Sequence, residues 1–281
     1  MTATTQSSSG KTWFITGASR GFGREWTIAA LERGDRVAAT ARDTATLDDL
    51  VERYGDAVVP VPLDVNDSAA AHAAVTQAHE ALGRLDVVVN NAGYGHFGFA
   101  EEVTEDELRA QMETNFFGLV AVTRAALPIL RRQGSGHVLQ VTSIGGISAF
   151  PIWSAYHASK WAVEGWTQAM AQEVAQFGIR TTLVEPGGFD TDWAGSSSVH
   201  SERMEEYADL HDRVDQMRAR AAASRGNPTA SAQAVLALVD AEEPPLRAFL
   251  GTAPLSIAKA DYEKRIADWE AWQHNAELAQ G

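Results

Sequence analysis

Seven short apolar runs recur along this chain with helical stretches between them, at residues 13–15, 37–40, 58–61, 85–89, 138–141, 181–184 and 248–250. Strands that alternate with helices are joined by crossovers, not hairpins. The pattern therefore predicts an α/β fold, a doubly wound parallel sheet with helices on both faces. Val87, Val88 and Val89 are apolar without alternation, as a central strand covered on both sides requires. At 281 residues, 45% hydrophobic and 21% charged, the chain suits one α/β domain better than two. Helix starts are marked by Thr104 with Glu107, a capping box, and by Asn227 before Pro228.

The first run lies in a short strand, 12–16, that leads into Thr16-Gly17-Ala18-Ser19-Arg20-Gly21-Phe22-Gly23 and then an apolar-periodic helix. Strand, glycine turn and helix form a phosphate-binding arrangement. Glycine lets the main chain approach a pyrophosphate, and the free amides and dipole at the helix start favour its charge. The spacing is Gly-x-x-x-Gly-x-Gly, not the Gly-x-Gly-x-x-Gly of other dinucleotide folds. The run at 85–89 enters Asn90-Asn91-Ala92-Gly93, at the carboxyl edge where open α/β sheets bind ligands. Further along, Tyr156 and Lys160 stand four apart and share one helix face. A fixed ammonium there would favour ionisation of a phenol that titrates near ~10 in model peptides.

Charge and composition exclude several functions. The formal charge is −14, from 37 acidic and 23 basic residues, which argues against a nucleic-acid partner because phosphate backbones are bound through Lys and Arg. With no cysteine there is no disulfide, no thiolate nucleophile and no Cys-ligated zinc, a usage that fits a cytoplasmic location. No metal is expected, since His96 and His157 have no partner at ligand spacing and there is no His-Glu-x-x-His. Both histidines read as structural or pocket-lining. No apolar run approaches the ~18 residues of a membrane span, so no membrane partner is expected. Residues 1–10 are polar and Ser/Thr-rich and read as a flexible tail, not a signal peptide.

These motifs together resemble the short-chain dehydrogenase/reductase family. Further landmarks fall in its order: Asp64-Val65, Asn90 to Gly93, Asn115 with Gly118, Ser143, and Pro186-Gly187 followed by Thr191. The likeness spans 11–251. Ala39-Thr40-Ala41-Arg42-Asp43 is similar to the hydroxysteroid- and retinol-dehydrogenase-like branch. The resemblance implies a Rossmann-like domain over 11–254 and interconversion of a ketone or aldehyde with an alcohol. In that reading Tyr156 is the general acid or base and Lys160 lowers its pKa and binds the nicotinamide ribose. Ser143 orients the carbonyl oxygen, and Asn115 anchors a proton-relaying water. The glycine turn (Gly17, Ser19, Arg20, Gly21, Phe22, Gly23) would hold the pyrophosphate. Asp64 and Val65 would border the adenine, Asn91, Ala92 and Gly93 the adenosine side, and Thr191 the carboxamide, with Pro186 and Gly187 shaping the turn beside the nicotinamide.

Cofactor choice follows from charge, because an acid after the second strand binds the adenosine ribose and repels a 2′-phosphate. That place holds Ala41 and then Arg42, and Arg20 stands in the glycine turn, so NADP(H) is the expected cofactor. Asp43, two positions on, leaves NAD(H) open. The substrate is expected to be a small carbonyl or alcohol with an apolar body, near His96, Phe97, Gly145, Phe150, Trp153 and Trp193. Residues 187–227 form an insert expected to cover it, helical around 201–220, with Trp193, Met204 and Tyr207 as lining candidates. From 255 to 281, Leu255, Ala258, Tyr262, Ile266, Trp269 and Trp272 mark an amphipathic helix that packs on its own domain or on a partner subunit. The resemblance implies a homo-oligomer, a dimer or tetramer. Two rivals stay open: an epimerase or dehydratase using the same acid and base, and a nucleotide-sensing scaffold without turnover.

Overall fold

The computed structural model describes residues 10–191, 193, 197–222 and 224–281. The polar tail expected at 1–10 lies outside the described residues except for Gly10. In chain order the elements are β1 (Thr12–Ile15), α1 (Gly21–Glu32), β2 (Arg36–Ala41), α2 (Asp48–Tyr54), β3 (Val58–Pro62), α3 (Ser68–Leu82) and β4 (Val87–Asn90). There follow β5 (His96–Phe97), α4 (Glu105–Met112), α5 (Leu119–Gln133), β6 (Gly136–Val141), α6 (Ser154–Val174) and β7 (Ile179–Pro186). The chain ends with β8 (Val199–His200), α7 (Ala208–Ala222), α8 (Pro228–Asp240), β9 (Arg247–Leu250), α9 (Pro254–Ala271) and α10 (Gln273–Gln280).

Among the described residues the main sheet has seven strands in the order β3-β2-β1-β4-β6-β7-β9, all parallel, and each of the seven apolar runs supplies one. Successive side chains on each strand feed opposite layers. Trp13, Ile15, Val37, Val87 and Val89 pack with α1 and α8, while Phe14, Ala38, Val88 and Val138 pack with α3 and α5. Burial on both faces explains why these runs do not alternate. Trp26 is 1% exposed, and its Nε1 donates to Ser231 Oγ at 2.9 Å, which fixes α1 against α8. Truncating such a core tryptophan to alanine costs about 3–5 kcal/mol.

The order reverses between β1 and β4, and open sheets place their ligand crevice at the carboxyl ends of strands beside such a switch. Both expected caps are formed. Thr104 and Glu107 make a reciprocal box, and Asn227 accepts the Thr229 amide ahead of Pro228.

Two regions differ from expectation in detail. In the segment between β7 and α8 the helix begins at Ala208, not near 201, because residues 199–200 instead extend and pair with β5. The neck of this segment is closed by the Asp190 amide on Gly226 O and the Gly226 amide on Gly188 O, each 2.9 Å. In α9, only Pro254 and Ala258 are buried. Tyr262, Ile266, Trp269 and Trp272 are exposed, so the stripe packs on its own domain through Ala258 alone, with Arg265 reaching Ile147 O beside it. No helix among the described residues is long and apolar enough to cross a membrane.

Candidate active site

A cleft of about 740 Å³ opens at the carboxyl ends of β1, β2, β3, β4 and β6. Its nucleotide-sized half is main chain. Gly17 has φ +66°, a left-handed turn that favours glycine, and a Cβ on Gly23 would stand 2.3 Å from Gly17 O and 2.5 Å from Asn91 Nδ2. Thr16 Oγ1 accepts the Asn91 and Ala92 amides, both at 2.9 Å, and Asn91 Nδ2 returns bonds to Thr16 O and Gly17 O. Asn91 thus staples two loops together with its side-chain amide. A helix start, a glycine turn no larger residue fits, and a cleft of this size suit a dinucleotide.

The wall of the cleft includes Gly17, Ser19, Arg20, Gly21, Phe22, Arg42, Asp64, Val65, Asn91, Ala92, Gly93, Pro186, Gly187 and Thr191. Gly23 lies behind them. Arg20 and Arg42 have no ion pair with any described residue, whereas Asp43 Oδ1 accepts the Ala45 amide at 3.0 Å and caps its own turn.

At the other end of the same cleft Ser143, Tyr156 and Lys160 converge. Ser143 Oγ accepts the Gly145 amide at 3.0 Å and is hydrogen-bonded to the Tyr156 hydroxyl. Lys160 Nζ donates to Val141 O at 2.8 Å and lies 5.8 Å from the centre of the Tyr156 ring. Burial pushes the Tyr156 phenol up to about 12, opposed by the Ser143 bond, so the phenol is held protonated rather than ionised. The same burial pushes Lys160 down to about 8, opposed by the charge of Glu164.

Asn115 sits in one turn of π-helix, Glu113–Gly118, between α4 and α5, a local widening often found at functional sites. Its Oδ1 accepts the Tyr94 amide at 3.1 Å, and its Nδ2 donates to Tyr94 O at 3.0 Å and Ser159 Oγ at 3.2 Å. It ties the chain after β4 to α6. A Cβ on Gly93 would lie 2.9 Å from Asn115 Oδ1 and 3.8 Å from Lys160 Nζ, so both side chains flank that glycine.

Of the residues expected at the substrate, Trp193 lines the cleft, with its ring 4.8 Å from that of Tyr156. Behind it Phe97 and Trp153 contact the Trp193 ring at 5.6 and 6.0 Å. His96 is 1% exposed and bonded to Ser201 Oγ at 2.8 Å. His157 donates from Nδ1 to Gly145 O at 2.8 Å, and its Nε2 accepts the Phe150 amide at 3.0 Å, pinning the loop after Ser143. Burial lowers the pKa of both histidines. His96, Phe97, Gly145, Phe150 and Trp153 are not among the residues lining the cleft, and of these Phe97 and Trp153 back Trp193. Ile152 carries φ +72°, rare for a β-branched residue and worth about 1–3 kcal/mol of strain, directly before the helix that bears Tyr156.

Sequence reasoning missed Tyr94, Ser197, Ser198 and Val199, which also line the cleft. Met204 and Tyr207 are not among the residues lining it; the Met204 amide donates to Glu102 and the Tyr207 hydroxyl to Glu101. Only Tyr94 had a signal, its place directly after Asn-Ala-Gly. No group that could hold a metal occurs among the described residues.

The short chain dehydrogenase family model matches residues 11–202. Oxidoreductase BOA17 of Botryotinia fuckeliana is 44% identical over 265 residues, covering 94% of this chain and 97% of that protein. The 3-ketodihydrosphingosine reductase of Bacteroides thetaiotaomicron is 36% identical over 239 residues, covering 84% of this chain and 86% of the relative. Among solved structures, a short-chain dehydrogenase from Streptomyces avermitilis superposes with a TM-score of 0.89 at 38% identity, covering 96% of this chain and 99% of its own. With family, fold and full-length relatives in agreement, the chain belongs to the short-chain dehydrogenase/reductase family and is an NAD(P)-dependent oxidoreductase.

Proposed function

We propose that the chain is an NADP(H)-dependent reductase of ketones or aldehydes with an apolar body, working through Tyr156. The observation that carries this reading is a single one: the glycine turn and the Ser143, Tyr156 and Lys160 side chains line the same cleft. The cofactor, when bound, supplies the hydride. Tyr156 donates the proton, and a phenol held protonated by burial suits that role. Ser143 accepts the Gly145 amide, and its hydroxyl, bonded to the Tyr156 oxygen, would turn its proton to the carbonyl oxygen when substrate is bound, where it steadies the charge that develops. Lys160 spends one donor on Val141 O and keeps two for the ribose and the phenolate formed after transfer.

The preference for NADP(H) over NAD(H) is supported by Arg20 and Arg42 on the cleft wall and by Asp43 being occupied with its own turn. The apolar substrate is supported by Trp193 beside Tyr156. A ketone is the group named for the Bacteroides relative, and we extend that class to this chain. The segment at 187–227 then acts as a cover, since Trp193 and 197–199 reach the cleft. Self-association is part of the proposal, supported by the exposed α9 stripe, and a monomer in sedimentation would refute it.

The test mixes NADPH with a panel of apolar ketones and aldehydes and follows reduced-nicotinamide absorbance. Loss of absorbance matched by alcohol formation is expected. Substrate conversion without that loss would point to epimerisation or dehydration and overturn the reading.

A further inference from the structure

Beneath the cleft lies a polar cluster that neither end of it uses. Glu185 on β7 is 0% exposed and Glu164 on α6 is 6% exposed, with Arg247 of β9 beside them. Arg247 Nε donates to Glu164 Oε2 at 3.0 Å and stands 3.4 Å from Glu185 Oε1, while its Nη2 goes to Gln168 Oε1 at 2.9 Å. Both carboxyl oxygens of Glu185 are left buried without a hydrogen-bond donor, and the Glu164 carboxyl is faced by the Thr142 hydroxyl besides Arg247. One guanidinium cannot satisfy two carboxylates, and an unpaired buried charge carries its full desolvation cost. A single proton on the pair resolves this, because it neutralises one acid and turns it into a donor to the other.

The cluster touches the catalytic elements directly. Glu164 lies one turn beyond Lys160 on the same face of α6. Thr142 directly precedes Ser143, and a Cβ on Gly146 would stand 2.5 Å from Thr142 Oγ1 and 3.2 Å from Glu164 Oε1, so glycine lets that loop close over the carboxyl. The Lys160 ammonium is 6% exposed, and its bonded acceptor, Val141 O, is neutral.

We propose that Glu164 and Glu185 share one proton and that the negative charge remaining on Glu164 is the counter-charge holding Lys160 as an ammonium, which makes Glu164 a positioning residue for proton transfer at Tyr156. The shared proton stands independently of the proposed function, and the effect on turnover rests on it. The charged groups facing the pair are Arg247 from β9 and Lys160 from α6; the loop after β6 contributes Thr142 and Gly146, both uncharged. Burial, with the neighbouring Glu164 charge, pushes Glu185 up to about 8.

Two readouts independent of turnover test this. The chain has four lysines, Lys11, Lys160, Lys259 and Lys264, so lysine-selective carbon-13 labelling gives few signals, and Lys160→Met assigns the one that matters. In Glu164→Gln the Lys160 signal should titrate at lower pH than in the wild type. For Glu185 the folded pKa is raised above the ordinary 4.5, so the stability its proton supplies is complete below 4.5 and is lost as pH rises to about 8. The wild-type melting midpoint should fall across that window relative to Glu185→Gln, whose amide stays neutral. If either variant fails to fold, difference infrared spectra of the wild type should lose a protonated-carboxyl stretch as pH passes about 8. An unmoved Lys160 titration, parallel melting courses, or no such infrared loss would each overturn the proposal. A protein that titrates as expected but reduces no carbonyl would sink the redox reading and leave the shared proton in place.

Discussion

The two ends of the cleft are made of different material. The nucleotide-sized end is strand ends and main-chain amides, laced by Thr16 and Asn91 through bonds of 2.9 to 3.1 Å. The segment between β7 and α8 is instead tied down by side chains of the 101–107 region: Glu107 to Ser201 at 3.0 Å, Glu102 to the Met204 amide at 2.9 Å and to His211 at 2.6 Å, and Glu101 to Tyr207 at 2.8 Å. At the first end the Thr16 and Asn91 side chains bond main-chain atoms of the strand ends, whereas at the second most ties run from side chain to side chain and change with either partner. The first end therefore suits a shared cofactor and the second a particular substrate.

The largest effect is expected where the two ends meet. Tyr156→Phe should lower carbonyl reduction by about 10²–10⁴-fold while the NADPH dissociation constant stays near its wild-type value, because only the transferable proton is lost. Stopped-flow turnover and fluorescence titration check the two halves of that statement. In the wild type the reduction rate should fall as pH rises through about 8, where Lys160 loses its proton, while the phenol at about 12 stays protonated. A pH–rate profile flat across that value would break the assignment.

Next in size, and confined to the nucleotide end, Arg42→Ala should weaken NADPH by roughly 1.5–3 kcal/mol and NADH far less, as calorimetric titration of both cofactors would read. Equal losses would erase the proposed phosphate clamp. At the other end, Glu102→Gln should lower stability by about 1–3 kcal/mol and raise the substrate KM with NADPH affinity unchanged. Burial alone would raise the Glu102 pKa, but His211 and the amides of Met204 and Phe99 hold it below the ordinary value. Its contribution is present above about 4.5 and is lost as pH falls, so acid should loosen this end first. Smallest of all, chelators should leave turnover unchanged.

The same contrast governs how much could be read from the chain. All seven strands and both caps were legible, because burial on two faces demands apolar runs and helix starts demand specific side chains. Of the residues brought to the cleft, the glycine turn, Arg42, Tyr156 and Lys160 carried local signals, while Asp64 and Ser143 were placed by the family resemblance. The role of Phe97 and Trp153 as backing for Trp193 carried no such signal, since it depends on β5 pairing with β8 at a separation of 103 residues, and a two-residue strand has no periodicity. The π-turn at Asn115 was equally silent, because it differs from a helix by one residue per turn. Nor could spacing reveal that Glu185 meets Glu164, a contact made only once β7 lies against α6.

The central claim is that one cleft unites a nicotinamide with the Tyr156 proton on a single carbonyl. Mass spectrometry of the alcohol formed from an apolar ketone and NADPH carrying deuterium at both C4 positions of the nicotinamide tests it most directly. The account predicts one deuterium on the carbinol carbon in every product molecule. Product without deuterium, or oxidised cofactor with no alcohol, would contradict it.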